Sequence, residues 1–133
     1  MSKLLMIDDN PLEHFIMQKM LNRYDLFKDA VHYYDGREVL RLLKKQNDLP
    51  DLIFLDLNMP CLSGLDFLKQ FDTLYPSFKN PISIYIFSSS ANYTDRSRTM
   101  AYPFVKGFYA KPMKREQLEL LYMVYRNIDL IAG

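Results

Sequence analysis

Leu52-Ile53-Phe54-Leu55-Asp56-Leu57-Asn58-Met59-Pro60 is the stretch that decides the fold. Four apolar residues in succession, ended by Asp56, read as a strand. A strand apolar on both faces belongs inside a parallel sheet with helices on either side. Upstream, residues 3–7 form a second such run, closed by Asp8-Asp9-Asn10-Pro11. Leu12, Phe15, Ile16 and Met20 follow at helical spacing, predicting that they share the buried face. Pro11 suits the first turn of that helix, where no amide donor is needed.

The alternation continues through the chain. Residues 30–34 read as a strand ended by Asp35-Gly36, and Val39, Leu40 and Leu43 mark the next helix. After Asp56, Leu65, Leu68 and Phe71 mark a third helix, and residues 82–87 a fourth strand. A weakly patterned helix over 93–101 is bounded by Pro103, and residues 108–110 form a short fifth strand. The last helix begins near residue 115, with Leu118, Leu121, Tyr122, Tyr125 and Ile128 on one face. This pattern predicts an α/β fold, a doubly wound five-stranded parallel sheet with five helices.

Bulk properties narrow the function. The 133 residues fit one domain, 1–133, and the chain ends soon after its last helical pattern, so no output domain is expected. Seventeen Lys plus Arg against sixteen Asp plus Glu leave a net charge of +1, which gives nucleic acid no basic surplus to bind. No apolar run is long enough to span a bilayer, and no secretory signal is evident. Cys61 is the only cysteine, which excludes an internal disulfide and favours a cytoplasmic location.

In a doubly wound sheet, ligands bind at the carboxyl ends of the strands. The residues there are Asp8 and Asp9, Asp56, Ser88 and Lys111. Carboxylates about 4 Å apart repel by roughly 1 kcal/mol in water and about 4 kcal/mol at an intermediate dielectric, so the cluster calls for a cation. Hard oxygen ligands favour Mg²⁺, which accepts phosphate oxygens in its open positions. Lys111 adds a movable charge, and Ser88 a hydrogen-bond donor.

With these residues in this order, the sequence resembles the receiver domains of two-component response regulators, of the single-domain chemotaxis-regulator-like type. The matching features are Asp8-Asp9, Asp56-Leu57-Asn58-Met59-Pro60 with Gly64 beyond, Ser88, and Lys111-Pro112. The resemblance covers essentially the whole chain and implies strand order 2-1-3-4-5. It implies that Asp56 is the phosphoacceptor. It further implies that Asp9, Asp56 and the Asn58 backbone carbonyl ligate Mg²⁺, with Asp8 acting through a water. Lys111 would contact the phosphoryl group, within a cis Lys111-Pro112 peptide. Ser88 and Phe108 would form the switch, and Asn58 and Ser90 would tune phosphate lifetime. Neither of those two is acidic, so loss of phosphate should not be especially fast.

Three departures bear on the switch. Ser88 replaces the commoner Thr and loses a rotamer-restraining methyl. Phe108 stands where many relatives have Tyr, and Pro103 shortens the segment before the fifth strand. The implied partners are a sensor histidine kinase or histidine phosphotransfer protein, and a downstream protein at the face of helix 4, strand 5 and helix 5. A phosphorylation-dependent homodimer is open. The chain would be a phosphoacceptor without a separate substrate rather than an enzyme.

Other readings are weaker. Asp8 to Pro11 could be only a turn and cap. The hydroxyl could be Ser89 or Ser90 if the register slips. His14 and His32 look too isolated for a zinc site, and Cys61 looks incidental. A flavodoxin-like electron carrier would need Ser, Thr and Gly amides where two carboxylates stand. The sequence speaks against an unphosphorylated interaction module, because every residue the chemistry requires is present, whereas an intermediate position in a phosphorelay is as open as a direct output.

Overall fold

The run that ends at Asp56 lies at the centre of the sheet. The computed structural model describes residues 3–89 and 93–132, with side chains except those of residues 93 and 127–132. The elements are β1 (Leu4–Ile7), α1 (Pro11–Arg23), β2 (Val31–Tyr33), α2 (Gly36–Lys44), β3 (Leu52–Asp56), α3 (Gly64–Leu74), β4 (Ser83–Ser88), α4 (Tyr93–Met100), β5 (Val105–Ala110) and α5 (Arg115–Ala132). The strands pair in parallel in the order β2-β1-β3-β4-β5, as the resemblance implied.

Every residue of β1 and β3 is buried. Alternate side chains feed two cores, as the two-residue period of a strand requires. Leu5, Ile7, Ile53, Leu55, Ile84 and Ile86 join Phe67 and Phe71 of α3 on one face. Leu4, Met6, Leu52, Phe54, Tyr85 and Phe87 join Met17 and Leu21 of α1 and Leu118 and Tyr125 of α5 on the other. Of the expected α5 face, Leu118, Leu121 and Tyr125 are buried in the core and Tyr122 is partly buried against it. Ile128 lies outside the described side chains.

Two expectations need correction. The inward face of α1 is His14, Met17 and Leu21, while Leu12 and Phe15 are each 58% exposed and Ile16 39%. The helix is rotated because Asn10 caps it, accepting the Leu12 N–H at 3.0 Å, and because His14 makes buried hydrogen bonds that apolar periodicity cannot register. Met20 is half-buried against the second core.

The fifth strand begins at Val105 rather than residue 108. Val105 faces Ile84 and Gly107 faces Tyr85, so Lys106 is an extra residue at a register shift. Its exposed charge interrupts the apolar run on this edge strand. The fourth helix ends at Met100, before Pro103, close to its expected boundary.

Candidate functional site

Each strand delivers its terminal residue to one edge. Asp8 follows β1 and is 1% exposed. Its N–H donates to the Tyr33 carbonyl at 3.2 Å, and its Oδ1 accepts the Asn10 N–H at 2.9 Å, closing the acidic turn. Asp56 is the last residue of β3 and is also buried. The Asn58 N–H points at Asp56 Oδ1 from 3.5 Å, a long contact. One carboxylate oxygen from each of Asp8, Asp9 and Asp56 lies within 4.8 Å of the others.

Gly64 allows the next segment to close over this edge. A Cβ there would stand 2.8 Å from Leu57 Cα and 2.9 Å from the Asp56 carbonyl oxygen. The Gly64 N–H donates to the Leu57 carbonyl at 2.9 Å, and Ser63 caps the helix behind it. The sequence thus turns the chain tightly behind Asp56 and leaves the carboxylate side open.

Lys111 arrives from the far edge of the sheet. Its N–H donates to the Ser88 carbonyl at 2.9 Å, and the following peptide to Pro112 is cis, as the resemblance implied. Its Nζ lies 2.8 Å from Asp8 Oδ2 and 3.1 Å from Asp56 Oδ1. Ser88, the fully buried end of β4, faces Ala110 of β5, whereas Ser89 is exposed. Of these two, Ser88 is the hydroxyl that ends the strand. Phe108 faces Ile86, half-buried against the α2/α3 core. Asn58 is exposed beside Asp56, and Cys61 is exposed in the same loop. Ser90 lies outside the described residues.

Burial, then the neighbouring Asp8 charge, pushes the Asp56 pKa up to about 6 against the opposing pull of Lys111. Burial opposes the charge on Lys111, but its contacts with Asp8 and Asp56 hold its pKa above the usual value. One ammonium set against three clustered carboxylates leaves a negative surplus. An all-oxygen donor set with a charge deficit and open positions fits Mg²⁺. A narrow cleft at this edge is lined by Asp8, Glu13, Asp56 and Lys111.

The histidines are not isolated. His14 is buried, and its Nδ1 meets Nδ1 of His32 at 2.7 Å, while its Nε2 meets the Asp8 carbonyl at 2.7 Å. Burial and the facing His14 ring lower the pKa of His32. The pairing of β1 with β2 brings them together, with His32 opposite Met6. Linear spacing held no signal for it.

The model of the response regulator receiver domain family matches residues 4–122. Among curated proteins, the chain is 31% identical over 121 residues to the hybrid signal transduction histidine kinase K of Dictyostelium discoideum, covering 87% of the chain and 10% of the kinase. The chain spans between 10% and 21% of the length of the first curated relatives it matches. In fold it is similar to a two component response regulator from Cytophaga hutchinsonii, with a TM-score of 0.80, 22% identity, and 95% and 97% of the two chains covered. It is also similar to the receiver domain of a sensor histidine kinase from Pseudomonas aeruginosa PAO1, solved with a magnesium ion coordinated in the active site cleft. There the TM-score is 0.70, the identity 21%, and the coverage 91% and 93%.

Proposed function

Because the chain belongs to the response regulator receiver domain family, we propose that it accepts a phosphoryl group on Asp56 in a Mg²⁺-dependent reaction and signals through protein contacts. The observation that carries this reading is the meeting of three carboxylates within 4.8 Å, with Lys111 Nζ 3.1 Å from Asp56 Oδ1. The donor is a phosphohistidine on a sensor histidine kinase or a phosphotransfer protein.

An Asp56 carboxylate oxygen attacks phosphorus. The new O–P bond forms as the P–N bond breaks, and its electron pair returns to an imidazole that leaves neutral, keeping the proton on its other nitrogen. Asp8, Asp9, Asp56 and the Asn58 carbonyl would hold Mg²⁺, which when bound offsets charge on the phosphoryl oxygens. Lys111 is placed to follow the phosphoryl group by exchanging its carboxylate contacts for phosphate oxygens. The protein's contribution is positioning and charge stabilisation, with no separate substrate turned over.

Output passes through Ser88 and Phe108. Ser88 is drawn to the new phosphate, and Phe108 repacks against the core it already touches. The responding surface is α4, β5 and α5, where Leu120, Met123 and Val124 are 65%, 57% and 52% exposed and available to a protein partner. A homodimer formed on phosphorylation could use the same face. No described helix is long and apolar enough to cross a membrane, and the reading places the chain in the cytoplasm with its kinase.

The test is incubation with acetyl phosphate and Mg²⁺, followed by intact mass. An adduct of one phosphoryl group that is lost in Asp56→Asn supports the reading. No adduct with any phosphoryl donor marks a receiver-like module that is not phosphorylated.

A further inference from the structure

A hydrogen-bonded chain of side chains ends on the peptide that joins the two acidic residues of the turn. His14 Nε2 lies 2.7 Å from the Asp8 carbonyl oxygen, and His14 Nδ1 lies 2.7 Å from His32 Nδ1. His32 Nε2 lies 2.7 Å from the side-chain amide of Gln18, which in turn meets Asn22 at 2.8 Å. A carbonyl oxygen only accepts, so His14 Nε2 carries a proton and donates it there. The short Nδ1–Nδ1 contact needs one proton between the two rings. His32 Nε2 faces Gln18 Oε1 and donates to it, and the Gln18 amide nitrogen donates onward to Asn22 Oδ1.

The His14 ring has little freedom. It is buried, its centroid is 4.8 Å from that of His32 in an edge-to-face contact, and 4.5 Å from that of Tyr34. The peptide it holds is planar, so fixing the Asp8 C=O also fixes the Asp9 N–H and the direction in which Asp9 leaves. The Asp8 N–H is tied to Tyr33 on the other side. Both backbone groups of Asp8 are thus anchored, while Asp9 itself is exposed.

We propose that His14 is a positioning residue for the cation site: through the Asp8–Asp9 peptide, and backed by His32 and Gln18, it presets the two carboxylates for Mg²⁺. The inference rests on the Mg²⁺ role given to Asp8, Asp9 and Asp56 above. Groups that orient metal ligands in this way typically change metal affinity by about 10–100-fold when removed.

The experiment is a calorimetric Mg²⁺ titration at fixed pH, without phosphoryl donor, on wild type, His14→Phe and His14→Gln, with urea midpoints for each. Gln can bring an amide N–H near the position of Nε2; Phe fills the space and donates nothing. Expected are Mg²⁺ binding about 10-fold weaker in His14→Phe and a return to within about 3-fold of wild type in His14→Gln. A ¹⁵N spectrum of wild type should also show scalar coupling across Nδ1 of His14 and His32. Unchanged affinity in a folded His14→Phe, or Gln no better than Phe, overturns the proposal and leaves the phosphoacceptor reading intact. No Mg²⁺ binding by wild type overturns both, and an adduct that forms without Mg²⁺ separates that case from loss of phosphoacceptance.

Discussion

Lys111 Nζ lies 3.1 Å from Asp56 Oδ1, so the residue expected to meet the phosphoryl group already occupies the acceptor's own hydrogen-bonding position. Nothing but the fold explains the meeting, since Asp56 ends β3 and Lys111 follows β5, with β4 between those strands. On the proposed reading, phosphorylation exchanges this contact for one to phosphate.

Lys111→Met keeps most of the apolar stem and removes the charge. Phosphorylation by acetyl phosphate should slow by about 100-fold, the scale for losing one preorganised charge-stabilising group. Mg²⁺ affinity should stay level or rise, because a competing cation has gone. Time-resolved intact mass and calorimetry read the two effects separately. A parallel loss of Mg²⁺ binding would mean that Lys111 organises the metal site instead.

Asp56 gives a pH dependence with a definite sign. Its pKa in the fold is raised to about 6 from 3.8, chiefly by burial and next by Asp8. The folded state therefore binds this proton more tightly than the unfolded chain does. Without Mg²⁺, the contribution of Asp56 to stability is greatest below pH ~4 and is lost as pH rises through ~6. Asp56→Asn should consequently stabilise the metal-free protein by about 1–3 kcal/mol at pH ~7 and by much less at pH ~4. Urea midpoints in EDTA at the two pH values measure this. Mg²⁺ binding should weaken as pH falls below ~6, because the proton must leave first.

Gly64→Ala tests how tightly α3 closes behind the acceptor. The added methyl would meet backbone atoms of Asp56 and Leu57 at 2.9 and 2.8 Å, and backbone cannot swing aside. A loss of about 1–3 kcal/mol is expected, the usual cost of overpacking. Because the clash falls on Asp56 itself, the phosphorylation rate should fall as well. A variant with wild-type stability and rate would show that the loop yields freely.

Much of this site was legible in the linear chain, and the reason is topological. A parallel sheet sends every strand's last residue to the same edge, so Asp8, Asp56, Ser88 and Lys111 could be placed together once the apolar runs were recognised. The parts that were missed depend on contacts between elements. Leu12 and Phe15 looked inward-facing because spacing gives a helix its stripe but not its rotation, which here follows the Asn10 cap and the His14 hydrogen bonds. The strand that leads to Lys111 looked short because Lys106 sits at a register shift. His14 and His32 became partners only through the pairing of β1 with β2.

Ser88→Ala separates chemistry from signalling. Ser88 is fully buried at the end of β4, and the substitution keeps the Asp8, Asp9, Asp56 and Lys111 side chains in place in the sequence. Phosphorylation of Asp56 should therefore persist, slowed by about 10–100-fold, since a hydrogen bond to the charged phosphate contributes about 1.5–3 kcal/mol. What should fail is the response of Phe108, α4 and β5, because the hydroxyl is the only part of Ser88 that can follow the phosphate. Backbone amide spectra with and without beryllofluoride measure this: wild type should shift along α4 and β5, and Ser88→Ala chiefly around Asp56. If the variant's α4 and β5 shifts match wild type, the signal reaches that face without Ser88, and Lys111, joined to the Ser88 carbonyl through its own N–H, becomes the residue to test as its carrier.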